Sequence, residues 1–169
     1  QDDKEYYCEI TLGKTTATDD GLGEILQENK VNLSKEDILK CLDNFRGSLL
    51  QIPPQYSAIK IAGKRAYSLA RKGIKTDLAP RRVTIKSLKV LDWQPPCLRL
   101  LLICSKGTYI RSLARDIGEQ LETGGYLSFL LRTRSGVFSI NNSFSLSEIE
   151  KLPAKEFLIP LDQALTNFP

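Results

Sequence analysis

An almost uninterrupted apolar run, from Leu98 to Cys104, limits the folds open to this chain. Arg99 is its one charged residue, so an extended chain would carry apolar side chains on both faces. Such a strand belongs in the interior of a sheet, with neighbours on either side. Apolar residues at helical spacing follow it, namely Ile110, Leu113, Ala114, Ile117 and Leu121. The sequence therefore predicts a central strand followed by an amphipathic helix that packs on the sheet.

Three other segments have strand patterns. Glu5 to Leu12 alternates between apolar and polar residues, which predicts a strand with one buried face. Arg82 to Trp93 also alternates, but its pattern slips near Ser87, which indicates a β-bulge. Gly136 to Ile140 is a shorter candidate strand.

Helix signals lie between these strands. Ser34 and Asp37 form a capping-box pattern before apolar residues at helical spacing, and Ser145 with Glu148 opens a last helix in the same way. A short helix is predicted from about Arg65 to Lys72, whereas the polar segment 14–23 is predicted to be a loop. Strands and helices do not alternate strictly, so we expect an α+β fold with a largely antiparallel sheet in a single domain of residues 1–169.

Composition excludes several kinds of site. The chain has no His, which excludes Ser–His and Cys–His nucleophilic pairs and His-ligated metal sites. Its four cysteines, Cys8, Cys41, Cys97 and Cys104, are widely separated and never form C-x-x-C, so we do not expect a metal site built from cysteine alone. They are predicted to be reduced, buried thiols of a cytoplasmic protein. No apolar run is long enough to cross a membrane.

Positive charge is concentrated between residues 60 and 86, a range called here the basic segment. Asp77 is its one acidic residue, against nine basic ones: Lys60, Lys64, Arg65, Arg71, Lys72, Lys75, Arg81, Arg82 and Lys86. Tyr67, inside it, and Tyr56, just before it, could stack on bases, so the segment resembles a surface for nucleic acid. A basic face that only contacts solvent remains an equal alternative.

A second cluster joins the predicted central strand to the helix after it. In the sequence Cys104-Ser-Lys-Gly-Thr-Tyr-Ile-Arg, Tyr109 and Arg111 flank apolar Ile110 at the start of the helix, where a carboxylate or phosphate is a favoured partner. The alternative is a surface salt bridge of Arg111. A third cluster, residues 126–136, leads from an apolar wall into Arg132 and Arg134. Core packing followed by an exposed strand start is the better explanation of most of its apolar residues.

These segments together resemble a known family, the bacterial tRNA pseudouridine synthase B family. The resemblance rests on motifs in the right order and spacing: Lys4-Glu-Tyr, Thr15-Thr-x-Thr-Asp, Ile52-Pro-Pro-x-Tyr-Ser-Ala-Ile-Lys-x-x-Gly-Lys-Arg-x-Tyr, Cys104-Ser-Lys-Gly-Thr-Tyr-Ile-Arg-Ser-Leu and Leu131-Arg-Thr-Arg-Ser-Gly. It implies a pseudouridine synthase catalytic fold, a tRNA TΨC stem-loop as partner, and isomerisation of the uridine at position 55 of the tRNA by base flipping, without cofactor or metal.

The resemblance also assigns roles to residues. Tyr6 matches the tyrosine that stacks on the flipped base, and Tyr109 matches an active-site tyrosine that is a candidate for moving the C5 proton. Arg111 matches the arginine that pairs with the catalytic aspartate, and Leu130 matches a residue lining the base pocket. The residues expected to contact the RNA backbone are Lys60, Lys64, Arg65, Arg71 and Arg82.

One departure from the family pattern concerns the nucleophile. The family carries its nucleophilic Asp in a Gly-x-Leu-Asp-Pro stretch upstream of the position of Tyr6, and this chain has no such stretch. Asp43, Asp92 and Asp162 lack the flanking Gly and Pro, and the family has an acid at the position of Asp116 as well. We therefore expect the chain to be the downstream portion of a catalytic domain, inactive alone, with the upstream segment as its partner and without a separate C-terminal RNA-binding domain.

Two alternatives belong to other functional classes. The first is a non-catalytic RNA-binding module that uses the basic face of residues 60–86. The second is an interaction domain whose basic segment only contacts solvent. A Gly-x-Leu-Asp-Pro stretch encoded before Gln1 would favour the enzyme, and an initiator Met there would favour the RNA-binding module.

Overall fold

A six-stranded antiparallel sheet is the centre of the molecule, in a computed structural model that describes residues 3–61 and 63–161. Its strand order is β10-β9-β1-β8-β7-β4, and two small hairpins, β2-β3 and β5-β6, lie outside it. The strands are β1 (Lys4–Leu12), β2 (Lys14–Thr16), β3 (Ile25–Glu28), β4 (Gly47–Gln51), β5 (Lys60–Ile61), β6 (Lys64–Arg65), β7 (Arg81–Gln94), β8 (Cys97–Cys104), β9 (Gly125–Ser135) and β10 (Phe138–Ser139).

Helices are short apart from two that cover the sheet. They are α1 (Lys35–Asp43), α2 (Ala66–Ala70), α3 (Ile110–Gln120), α4 (Leu146–Ile149) and α5 (Ala154–Phe157), with one 3-10 turn at Ile140–Asn142. None of the helices in the described ranges is long and apolar enough to cross a membrane.

The core lies between one face of the sheet and the helices α1 and α3. On that face, alternate residues of β1 and β8 are almost fully buried, as the period-two pattern requires. They meet apolar side chains of the two helices, among them Ile38, Leu113 and Ile117, in one cluster. The predicted α+β fold with an antiparallel sheet is therefore confirmed.

Close backbone contact fixes α3 against the start of β9. A Cβ atom on Gly118 would lie 2.2 Å from the backbone nitrogen of Gly125, so a larger residue cannot replace this glycine without displacing backbone. Two glycines thus allow α3 to approach β9, and this contact places the N-terminal turn of α3 beside the middle of β9.

The predicted central strand is β8, which lies between β1 and β7. The predicted central position is therefore confirmed, and of its two apolar faces one is buried while the other is partly exposed. The bulge predicted near Ser87 is present as a register shift between Ile85 and Ser87, and β7 has a second shift between Val90 and Asp92. The helices predicted from the Ser34 and Ser145 capping boxes both form.

Three predictions need correction. The segment 14–23 is not all loop, because Lys14–Thr16 pairs with β3. The strand predicted at 136–140 is limited to Phe138–Ser139. The long strand β9 (Gly125–Ser135) was missed because three consecutive apolar residues, Phe129 to Leu131, break its alternation, and these three are exposed.

Candidate active site and nucleic-acid surface

Arg111 is the best-anchored residue of the predicted site. It lies in the first turn of α3, and three quarters of its side chain is buried. Its Nη1 donates to the Asp20 carboxylate (3.1 Å) and to the Thr18 carbonyl (3.3 Å), while its Nη2 donates to the Tyr56 carbonyl (2.8 Å). The guanidinium therefore joins α3 to two loops that are distant in sequence.

Asp20, the anionic partner of Arg111, is itself held in a tight turn. Its Oδ1 accepts from the Thr18 hydroxyl (2.6 Å) and from the Leu22 amide (3.1 Å). The turn is bonded to β9 because the Leu127 amide donates to the Asp19 carbonyl and the Gly21 amide donates to the Leu127 carbonyl. Asp20 is a site residue that sequence reasoning missed, although it adjoins the Thr15-Thr-x-Thr-Asp motif.

A partly apolar cavity of about 420 Å³ opens beside Arg111. Leu130 lines it from β9, together with Phe129 and Leu127, and Asp20 and Leu22 line it from the turn. The structure thus brings together two of the predicted site residues, Arg111 and Leu130, in a cavity with one charged wall and one apolar wall.

Tyr6 lies on β1, next to β9, and faces the core side of the sheet. Its register partner on β9 is Arg132, two residues beyond Leu130. Burial raises the pKa of Tyr6, and the neighbouring thiol of Cys104 adds to the rise, whereas a hydrogen bond from Arg132 and its charge lower that pKa. Arg132 is a second residue that the site prediction missed, although the Leu131-Arg-Thr-Arg motif contains it.

Tyr109 is the N-cap residue of α3 and is fixed through its backbone. The buried Gln51 side chain accepts from the Tyr109 amide (2.8 Å) and donates to the Tyr109 carbonyl (3.1 Å). Among the described residues, the Tyr109 hydroxyl has no hydrogen bond to Tyr6 or Arg111. Tyr109 is therefore close to Arg111 in sequence, but no hydrogen bond within the described ranges joins its hydroxyl to the site. Its catalytic role stays a prediction.

Three of the four carboxylates considered as replacement nucleophiles are engaged elsewhere. Asp43 pairs with Arg46 on the surface, and Asp92 pairs with Arg99 at 2.7 Å. Asp116 pairs with Arg115 at 2.7 Å, in a different cavity from Leu130. Asp162 lies outside the described residues. In the described ranges, no group of three acidic or cysteine residues is arranged to hold a metal ion.

The basic segment exposes its cations to solvent. All nine basic side chains are exposed, and Lys86, which binds Asp3 at 2.8 Å, is the one that forms an ion pair within the described ranges. The guanidiniums of Arg65 and Arg71 lie 5.9 and 5.6 Å from the ring centre of Tyr67. A hydrogen bond from Arg65 lowers the pKa of Tyr67. The segment thus combines uncompensated cations with an aromatic ring, as nucleic-acid surfaces do.

The cysteines agree in part with prediction. All four are free, and Cys8, Cys41 and Cys104 are buried, but Cys97 is only half-buried. Burial raises the pKa of Cys8 to about 12 and that of Cys41 to about 11, so both are inert thiols at neutral pH.

Comparison with family sequence models finds two matches that together span most of the chain. Residues 1–110 match the TruB family pseudouridylate synthase N-terminal domain, and residues 111–166 match the tRNA pseudouridylate synthase B C-terminal domain. The two matches meet inside α3, and strands from both ranges share the six-stranded sheet.

Two curated proteins that are similar to this chain are named tRNA pseudouridine synthase B. The tRNA pseudouridine synthase B of Clostridium tetani is 43% identical over 98% of this chain and 57% of its own length. That of Pseudomonas fluorescens strain Pf0-1 is 44% identical over 99% of this chain and 57% of its own length. The chain thus spans a little over half the length of these relatives.

The similar solved structures are of multi-component complexes, one of them with RNA. One is the crystal structure of a Cbf5-Nop10-Gar1 complex, with a TM-score of 0.68 and 22% identity over 99% of this chain and 44% of that one. Another is an H/ACA RNP bound to a substrate RNA containing 2'-deoxyuridine, with a TM-score of 0.65 and 19% identity over 99% of this chain and 43% of that one. At these identities the likeness shows a shared fold.

Proposed function

Because this chain belongs to the TruB family of pseudouridylate synthases, we propose that it forms the base-pocket and RNA-binding part of a tRNA pseudouridine synthase. Its substrate is the TΨC stem-loop of tRNA, in which the uridine at position 55 is converted to pseudouridine in the cytoplasm. Residues 1–169 act as one domain in this proposal.

The unused donors of Arg111 carry the proposal. Its three hydrogen bonds involve Nη1 and Nη2, which leaves the Nε–H and one N–H of Nη2 without a partner in the described part of the chain. A guanidinium can donate two parallel bonds to a carboxylate. Arg111 is therefore held in place and can still donate hydrogen bonds to a second carboxylate, beside a partly apolar cavity.

We assign the chemistry to residues accordingly. The flipped uracil enters the cavity lined by Leu130, and Tyr6 stacks on it, which offsets part of the cost of unstacking the base. Arg111 keeps the nucleophilic aspartate ionised and oriented, because a nearby cation favours the charged form of a carboxyl group. Tyr109 moves the C5 proton. The aspartate comes from a Gly-x-Leu-Asp-Pro segment outside these 169 residues, so the chain alone is inactive.

We assign RNA binding to the basic segment. The residues that contact phosphates of the RNA backbone are Lys60, Lys64, Arg65, Arg71 and Arg82. Eight of its nine cations have no carboxylate partner in the described ranges, so their charge is available to an anionic ligand. The same observation favours the second candidate function, an RNA-binding module without catalytic activity.

Tritium release from tRNA labelled at C5 of uridine separates the two functions. We expect no release above background from the 169-residue chain, because general acid–base help alone supplies only about 10²–10⁴-fold. Release is expected once a segment with the Gly-x-Leu-Asp-Pro stretch is added as a second polypeptide. The matched control is the same segment with its Asp replaced by Asn.

Each outcome decides between stated alternatives. Release from the chain alone would contradict the assignment of the nucleophile to another segment. RNA binding without release, even after the segment is added, would favour the non-catalytic module. Release that depends on the Asp of the added segment would support the synthase.

A further inference from the structure

Arg115 lies one helical turn after Arg111 and contacts the same two loops. Its Nη1 binds the Asp19 carboxylate at 3.1 Å, and its Nη2 donates to the Ile52 carbonyl at 3.0 Å. Arg111 donates to other residues of the same two segments: to Asp20 in the turn that contains Asp19, and to Tyr56 in the loop that contains Ile52. Two arginines on one face of α3 therefore hold one pair of loops.

The contacts of Arg115 are more enclosed than those of a surface ion pair. Its side chain is 22% exposed, that of Asp19 is 18% exposed and that of Asp116 is 25% exposed. Its Nε and Nη2 also donate to Asp116, at 3.0 and 2.7 Å. Burial raises the pKa of both carboxyl groups and the charge of Arg115 opposes that rise. Removing Arg115 would leave two enclosed carboxylates without their cation.

The turn held by Arg115 has an unusual backbone. Asp19 has φ of 60°, in the left-handed region that few residues other than glycine adopt. This conformation directs consecutive side chains, Asp19 and Asp20, to consecutive arginines of α3. Because such a conformation costs free energy, contacts from the surroundings must maintain it. The ion pair of Asp19 with Arg115 is one such contact.

We propose that Arg115 is a positioning residue of the synthase site, an inference that rests on the proposed function. It keeps the Thr18–Asp20 turn and the Ile52–Tyr56 loop in place, and these in turn hold the guanidinium of Arg111. When Arg111 also binds the nucleophilic carboxylate, its hold on the two loops weakens because the second anion competes for its charge. Arg115, which does not contact the cavity lined by Leu130, maintains them.

The test compares two variants with a matched control. Arg115→Lys keeps the charge but cannot bridge two carboxylates and a carbonyl at once. The double variant Arg115→Met with Asp19→Asn removes one pair of charges together, which limits the cost of unpaired burial. The control is Arg99→Lys, because Arg99 also bridges two carboxylates, Glu9 and Asp92, and has no contact with the two loops.

Two measurements are made on each protein. The first is kcat and KM for tritium release by the chain with the added Asp-containing segment. For both Arg115 variants we expect kcat to fall by about 10- to 100-fold, with KM nearly unchanged, because small displacements of a catalytic group cost rate more than binding. The second is the Nε–H NMR signal of Arg111 in the 169-residue chain, which should move in both variants and not in the control.

The two measurements distinguish a failure of the proposed function from a failure of the positioning role. Absence of turnover in the unmodified protein would overturn the proposed function, and the NMR signal would still test the link between the two arginines. A folded Arg115 variant with normal kcat, or with an unmoved Arg111 signal, would overturn the positioning role. A fall in melting temperature with normal kcat would show that Arg115 is only structural.

Discussion

Arg111 and Arg115 differ in what their contacts leave free. Both have about a quarter or less of the side chain exposed, so their N–H groups need acceptors within the protein. Arg115 donates to two carboxylates and a carbonyl from all three of its nitrogen atoms. Arg111 uses only its two terminal nitrogens. At the scale of single residues, this difference separates a group that can bind a further anion through Nε and Nη2 from one whose Nε and Nη2 donors are all in use.

Replacing Arg111 by Lys tests this distinction. An ammonium cannot reach Asp20, Thr18 and Tyr56 at once and still present two parallel donors to a carboxylate. We expect turnover, measured with the added Asp-containing segment, to fall by roughly 10² or more. tRNA affinity should stay nearly unchanged. Arg46→Lys is the control, because Arg46 forms an exposed pair with Asp43. Near-normal turnover for Arg111→Lys would return Arg111 to the role of a salt-bridge residue.

Motifs predicted some site residues and not their partners. Arg111 and Leu130 were identified from motifs, and the structure places both on one cavity. Asp20, Gln51 and Arg132 were missed because their importance comes from contacts across 58 to more than 90 residues of sequence, or across neighbouring strands. Such contacts depend on strand register, which local patterns do not specify.

At the scale of elements, α1 combines a capping box at its N-terminus with side chains that are part of the core. Its N-cap Ser34 and Asp37 form a complete capping box, and the helix buries Ile38, Cys41 and Leu42 in the core. By contrast, α4 has the same box at Ser145 but buries no residue. The same local chemistry should therefore matter more for global stability in α1 than in α4.

Ser34→Ala should lower the free energy of unfolding by about 1 kcal/mol at pH 7. Hydrogen bonds from Ser34 lower the pKa of Asp37, so the part of this contribution that depends on the Asp37 carboxylate is present above its unfolded pKa of about 3.9 and is lost as the pH falls through its folded pKa. The bond from the Asp37 amide to the Ser34 hydroxyl does not depend on that charge. Urea unfolding at pH 7 and below pH 4 measures both values. The control, Ser145→Ala, should change neither. An effect of Ser34→Ala that persists undiminished in acid would contradict the role of the Asp37 charge.

Strands were predicted where their pattern stayed regular. β1 alternates cleanly and β8 is almost wholly apolar, so both were found. β9 was missed because its apolar residues Phe129 to Leu131 are consecutive and exposed, and β4 because its five residues are mostly exposed at the edge of the sheet. The sheet's class could therefore be predicted, whereas its full extent depended on pairing between distant segments.

At the scale of the whole molecule, charge is divided unevenly. The chain carries a formal charge of +4, yet the basic segment alone has nine cations and one acid. The rest of the chain is therefore net acidic and pairs most of its arginines with carboxylates, as Arg99, Arg111 and Arg115 show. An anionic partner as large as RNA is attracted to one surface and repelled by others, which orients it on the protein.

Salt dependence of binding measures how many phosphates the basic segment neutralises. If about four phosphates of the TΨC stem-loop are bound, log K should fall with log salt concentration at a slope of roughly −3 to −4. Replacing Lys64, Arg65, Arg71 and Arg82 by Ala should weaken binding and flatten this slope, because the variant releases fewer counterions. The measurement is a titration of labelled stem-loop RNA at several salt concentrations.

A matched variant separates position from total charge. Replacing Lys30, Lys35, Lys40 and Arg46 by Ala removes the same four charges from exposed positions in and around α1, outside the basic segment. If the basic segment binds the phosphates, this control keeps the steep slope and loses only the weak long-range attraction that salt screens within about 10 Å. Equal slopes in the two quadruple variants would mean that net charge, not this surface, determines RNA binding. A slope unchanged from wild type in the basic-segment variant would show that the four replaced cations do not contact phosphates.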